Sequence, residues 1–288
     1  MSAFIAYLIA GLALGCSFAL VASGFVVIHR VTRVVNFAQG TVVVVGGLTA
    51  ASMLSWGLPH PLAEVVAIVG AGLTGLVVGV IAIGKRGTPV LASLVITLGL
   101  VFLAYALEIM VWGDQPISFQ MAPGSVTVTV VGARVQNQYF VVVAAAVISL
   151  GLLQLFFARS YLGKAMTACA SNAYAARLAG INVTRMGLLA FALAGLLGGL
   201  AGVLLTPLQP VSFDSDVVLA TNGFAAAIFG GLMRPGMALV GGLVLGLAES
   251  FVAGYINGSY QTGVALILML VLMVWQARRR LMMTEEGA

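Results

Sequence analysis

Charge is what this chain has least of. Asp, Glu, Lys and Arg make up 7% of its 288 residues, whereas a soluble domain carries about 25%. With 61% hydrophobic residues and a mean hydropathy of +1.15, a water-soluble globular fold is excluded and a polytopic membrane protein is expected. The net charge of +5 then follows membrane topology, and no soluble domain remains to carry a nucleic-acid surface. Cysteine is nearly absent. Cys16 lies in the first apolar run and Cys169 in a polar stretch, so neither a structural disulfide nor a metal site is expected. The two histidines, His29 and His60, fall on opposite membrane faces in the topology below. No Ser/His/Asp set and no paired carboxylates at helical spacing supply an enzyme. The N-terminus lacks the charged start of a signal peptide, and its apolar run is long enough to stay as a spanning helix.

What is there is apolar helix. A span needs about 20 apolar residues, and the runs fall near 3–28, 37–55, 62–83, 90–112, 139–158, 187–206, 217–233, 237–256 and 261–276. The fold class is therefore all-α and polytopic, one transmembrane domain over 1–288 with about nine crossings and a range of eight to ten. The seventh run carries Asn222, Gly223, Gly230 and Gly231, the mark of a broken helix lining a cavity. With the N-terminus outside and the C-terminus inside, twelve of the 13 basic residues face inward and only Arg134 is left out. Glu64, Glu108, Asp114, Asp214, Asp216 and Glu249 then lie in or toward an acidic outer half, with Glu108 close enough to the surface to reach water. The outer loop at 113–138 reads as a short hairpin from Val126–Val130 to Gly132 and Val135. Small-residue pairs such as Gly11 and Gly15, and Gly242 and Gly246, permit close helix packing.

Gly79 to Arg86 fits GxxxxGK, but Arg86 replaces the Ser or Thr that binds Mg²⁺ and a membrane span replaces the strand and loop. Polar residues at membrane depth are more informative. Asn36 and Gln39 lie three apart beside Phe37 and Gly40, and they either bond neighbouring helices or line a polar path. Glu249, well inside an apolar helix, faces a pathway or a buried interhelical partner. Between spans five and six, 159–186 holds Arg159, Lys164, Arg177 and Arg185 around a small-residue run. Its spacing predicts a weakly amphipathic surface helix over about 162–178, a Gly180 turn of positive φ, and Asn182 or Thr184 capping the next span.

These blocks resemble one family. Asn36-Phe37-Ala38-Gln39-Gly40 looks like the Asn-Phe-Ala-x-Gly signature of permeases from branched-chain amino-acid ABC importers of the LivH/LivM type. Residues 162–182 resemble its cytoplasmic coupling loop, Met186–Pro207 its Gly/Ala-rich helix, and Phe229–Gly236 with Gly241–Glu249 its late glycine pattern. Thr41 departs from it where an acidic residue is common, and Met233-Arg234 replaces a smaller turn. The resemblance implies a permease with no cofactor of its own, working in the bacterial inner membrane. Its implied partners are two cytosolic ATP-binding subunits that hold ATP and Mg, a second homologous permease forming a homo- or heterodimer, an extracytoplasmic substrate-binding protein and membrane lipid, with no nucleic acid. The substrate would be a branched-chain amino acid or a related small polar solute. The pathway set is Asn36, Phe37, Gln39, Gly40 and Glu249, and the ATPase-coupling set is Lys164, Ala168, Asn172, Ala173, Ala176, Arg177 and Gly180. The competing reading is a self-contained ion-coupled secondary transporter or channel using Glu108 or Glu249.

Overall fold

The computed structural model describes residues 2–84, 89–120, 127–130, 133–233, 235–261, 263–264, 266–271 and 273–274. Lys85, Arg86, Val126, Gly132, Arg234, Arg278 to Arg280 and the end of the ninth apolar run lie outside them.

Among the described residues, six helices are long and apolar enough to cross a membrane: α1 (Ser2–Thr32), α3 (His60–Ile83), α4 (Val90–Trp112), α5 (Gln138–Arg159), α8 (Val183–Leu205) and α10 (Pro235–Tyr255). Two shorter apolar helices, α2 (Gln39–Ser55) and α9 (Ser215–Phe229), join them, and the described residues between 261 and 274 are helical. A small antiparallel hairpin, β1 (Thr127–Val130) and β2 (Ala133–Gln136), pairs Thr127 with Gln136 before α5 and rests on α1 through buried Val135. The surface segment folds as α6 (Tyr161–Ser171) and α7 (Ala173–Leu178).

Glycine sets which helices touch. Gly11 and Gly15 of α1 meet Gly242, Gly246 and Leu247 of α10, so closely that a Cβ on Gly11 would come 2.9 Å from the Leu247 Cα. Gly75 of α3 meets Phe191 and Gly195 of α8, and Gly46 of α2 meets Gly199. Apolar packing drives little association between helices already in lipid, so dispersion between backbones at close range takes its place. Around this centre the outward faces of α3, α4 and α5 expose Leu, Val, Ile and Phe, as lipid or another apolar surface requires.

The two short helices explain the rest of the architecture. Gln39, at the start of α2, lies against Gly24 of α1 and bonds Ala194, the central residue of α8. Gly24 is eight residues before the end of α1, about 12 Å at 1.5 Å per residue, so residues 33–38 turn back into the bundle before α2 begins. A matching excursion enters from the other end. Thr206, just after α8, sits beside Gly47 of α2, whereas Asp216 sits beside Gly40, one to two turns deeper. Both shorter helices thus start in the interior, from opposite ends. Helix α9 is unbroken through Asn222 and Gly223, contrary to the expected interruption; it ends at Gly230 and Gly231, where φ reaches 63° at Gly231. Gly223 is a packing position, because a Cβ there would strike Val21 of α1.

The connections sort cleanly to two ends. His29 meets Leu232, Arg33 meets Ala170, and Arg30 lies 5.4 Å from the Phe157 ring, so the α1–α2, α5–α6 and α9–α10 connections share one end. At the other, Trp112 donates to Ser52 at 2.7 Å, Ile117 pairs with Val211, and Ser250 donates to the Tyr7 carbonyl at 2.7 Å. Among the described residues the first end holds every basic residue but Arg134, which stands on β2.

Candidate functional site

An extended chain inside a bundle must satisfy its own amides. Residues 33–38 do so with short polar side chains. Thr32 Oγ1 accepts from the Val34 N–H at 3.2 Å, Asn36 Oδ1 from the Ala38 N–H at 3.2 Å, and Thr97 Oγ1 of α4 from the Phe37 N–H at 3.4 Å. The Asn36 carbonyl accepts from the Gln39 N–H at 3.2 Å. Gln39 Nε2 then donates to the Ala194 carbonyl at 2.9 Å, leaving Oε1 buried without a partner among the described residues. Asn36, Gln39 and Gly40 are all buried, while Phe37 is half-buried and its ring lies 6.3 Å from Phe224 of α9, which in turn meets Phe25 at 5.5 Å. Four of the five pathway candidates therefore gather where α2 starts. Thr32 and Thr97 complete that stretch, and their only sequence signal is a hydroxyl in an otherwise apolar run.

Gly40 is there because nothing larger fits: a Cβ would overlap the Asp216 carbonyl and press on Ala220 at 2.9 Å. Beside it the Thr41 hydroxyl donates to the Asp216 carboxylate at 3.4 Å, and Asp216 also accepts from the Val217 N–H at 2.6 Å. Asp216 is buried, whereas Asp214 is exposed, accepting from the Ser212 hydroxyl. Glu108 is only 1% exposed and so does not reach water; both its oxygens lack a hydrogen-bond partner among the described residues. Glu249, the fifth pathway candidate, stands apart on α10, buried and near Asn222 of α9. Helix α9 is what connects the two groups.

At the basic end, a cavity of about 830 Å³ opens between the 33–34 stretch, the facing ends of α3 and α4, and α6, α7 and the start of α8. Among the described residues, Arg33 and Arg177 line it with Asn182 and Ser93, and no carboxylate does. Here the expected single helix over 162–178 is corrected to two. Asn172 adopts an extended backbone at φ −153°, and its side chain accepts from the Tyr174 and Ala175 N–H groups at 3.0 Å each, so local capping outcompetes continued helix. Ser160 caps α6 through the Gly163 N–H, and Asn182 caps α8 through the Arg185 N–H at 3.1 Å, one of the two expected caps. Gly180 has φ +83°, as its turn requires. Lys164, Ala168, Asn172, Arg177 and Gly180 are exposed and Ala173 half-buried, but Ala176 packs into the core and presents nothing outward. This surface also has an apolar part: Tyr161 is 84% exposed, Tyr174 71% and Leu178 73%.

A family model described as branched-chain amino acid transport system / permease component matches residues 7–274. The high-affinity branched-chain amino acid transport system permease protein LivH of Escherichia coli (strain K12) is 26% identical, over 94% of this chain and 93% of its own. The corresponding permease protein BraD of Pseudomonas aeruginosa is 27% identical over 95% and 94%. Among solved structures, PsaBC from Streptococcus pneumoniae in complex with Fab shares the fold with a TM-score of 0.54 at 14% identity, covering 94% of this chain and 91% of that one.

Proposed function

The chain belongs to the permease family of branched-chain amino-acid transport systems, and from that premise we propose how it is driven and what it carries. It is the membrane subunit of an ABC importer in the inner membrane. Its substrates are branched-chain amino acids or related small polar solutes, as the names of LivH and BraD suggest. It crosses the membrane about nine times with the basic end in the cytosol, because lysine and arginine are retained on that side. Two cytosolic ATPases, a second permease, identical or homologous, and an extracytoplasmic binding protein complete the transporter. ATP and Mg belong to the ATPases.

The observation that carries the coupling assignment is the surface of α6 and α7. Tyr161, Leu162, Tyr174 and Leu178 are exposed apolar side chains beside Lys164 and Arg177, at the basic end. Large apolar groups held in water this way fit a groove in a soluble subunit. Closure of the ATPases moves this surface, and the 33–40 segment with Asn36, Phe37, Gln39 and Gly40 answers at the interior ends of α2 and α9. The polar interior there suits a small zwitterion that is passed on, since the binding protein supplies selectivity. Glu249 contributes from α10, buried near Asn222 of α9.

Gentle solubilisation from native membranes, pull-down and mass spectrometry test the assembly, and leucine uptake in liposomes tests the transport. ATP-binding subunits and a second permease should co-purify, and uptake should need ATP. Recovery of the chain alone, with ion-driven uptake and no ATP, would install the secondary transporter instead.

A further inference from the structure

The surface helices and the buried 33–40 segment need a physical connection, and one side chain supplies it. Arg33 ends α1, its N–H bonding the His29 carbonyl at 2.9 Å, and begins the inward-turning chain. Its guanidinium spans two other elements. Nη2 donates to the Ala170 carbonyl of α6 at 2.9 Å, and Nη1 meets the Met233 sulfur in the α9–α10 turn at 3.4 Å. Ala170 is the second-last residue of α6, so its carbonyl is one of those a helix end leaves unpaired, at the negative end of the helix dipole. A cation is the natural cap there.

The backbone marks the same place. Arg33 and Leu232 are the two non-glycine residues with positive φ among those described, at 63° and 59°. Leu232 lies next to Met233, and its carbonyl is 3.3 Å from His29 Nδ1. Left-handed backbone is unfavourable for any side chain with a Cβ and persists only where surrounding contacts enforce it. Here both strained residues sit at the ends of one linkage. Behind it the 830 Å³ cavity separates the 33–34 stretch from much of α6 and α7, leaving space for relative movement.

We infer that Arg33 is the positioning residue through which displacement of α6 is transmitted to the 33–38 segment and hence to the start of α2. This rests on the importer reading above. The linkage converts movement of a surface helix into movement of chain that reaches Gln39 near the middle of α8.

The test uses the complete transporter in proteoliposomes, measuring leucine uptake and ATP hydrolysis together. Arg33→Gly removes the side chain but suits the positive φ, so the fold is kept. Substrate-stimulated hydrolysis should stay within about twofold of wild type while uptake per ATP falls about tenfold, the scale of one lost charged hydrogen bond. Arg33→Lys keeps the cation but not the two-way reach, and should recover part of the ratio. Unchanged uptake per ATP in Arg33→Gly overturns the inference. So does a proportional loss of uptake and hydrolysis that Lys does not relieve, because that is the behaviour of a structural brace. If Arg33→Gly does not assemble, Arg33→Lys decides alone: a wild-type ratio overturns the linkage and a reduced one supports it. A wild-type complex that takes up leucine without ATP would refute the importer reading itself, independently of Arg33.

Discussion

Gln39 and Ala194, 155 positions apart in the chain, are joined by a 2.9 Å hydrogen bond from the side-chain amide to the central carbonyl of α8. The contact fixes how deep α2 begins. Gly24 and Gly198 leave room for the amide, since a Cβ on Gly198 would lie 2.9 Å from it and one on Gly24 would overlap it. Gln39→Ala is expected to cost about 2–4 kcal/mol through the cavity and the lost bond. Gly24→Ala alone should be similarly harmful, while the double variant should recover much of the loss because each change removes the other's clash or void. Thermal unfolding of the four proteins in detergent measures the coupling, and strict additivity would refute the packing relationship.

Glu108 offers the opposite case. A carboxylate 1% exposed with neither oxygen hydrogen-bonded among the described residues is costly to bury. Glu108→Met should therefore raise stability by about 1–3 kcal/mol and leave ATP-driven uptake intact. Loss of uptake with a normal fold would assign Glu108 a role in transport and favour an ion-coupled mechanism.

At the surface segment, Asn172→Ala removes two N–H acceptances and should cost about 1 kcal/mol locally. Amide exchange over 173–178 should speed up while the bundle keeps its protection. Gly180 has open space around its Cβ position, so Gly180→Val meets no neighbour and acts only through its φ of +83°. It should reduce uptake per ATP without impairing assembly. Normal uptake and normal substrate-stimulated hydrolysis in Gly180→Val would deny this turn a part in coupling.

Two chemically identical substitutions should separate packing glycines from incidental ones. Gly246→Ala pushes a methyl group into the Gly15 backbone, and the α1–α10 contact must open, costing about 3 kcal/mol or more. Gly99→Ala points into open space on α4 and should be neutral or stabilising by about 0.5–1 kcal/mol. Yield and melting temperature after purification decide the matter; equal effects would mean that glycine contacts do not set the helix pairing.

The six long helices were legible as apolar runs of spanning length, and local chemistry marks several of their ends. His60-Pro61 starts α3, Gly113 follows α4 and Ser160 caps the turn after α5, each within two residues of the expected boundary. The Asn36–Gly40 stretch was legible as unusual, because amides are costly in lipid. Its depth was not, since only α8, far along the chain, fixes where Gln39 sits. Over 162–178 the apolar spacing is that of one helix, and the break at Asn172 arises from a side chain competing for backbone N–H groups, which periodicity does not register. In α9 Gly223 looked like a break but serves close packing, a distinction that depends on Val21 of another helix, whereas Gly230 and Gly231 do end the helix.

The α1–α10 contact has a consequence for synthesis. Gly15 and Gly246 are 231 positions apart, so at about 5–20 residues per second the first helix waits about ten to fifty seconds for its partner. During that interval its glycine face meets lipid or a membrane chaperone, and the interior start of α2 likewise has no α8 to hold it. The newborn protein therefore spends most of its translation as loosely associated helices, and the bundle locks only when the chain is nearly complete. A ribosome stalled before residue 235 would leave the Gly11 and Gly15 face of the earliest helix uncovered.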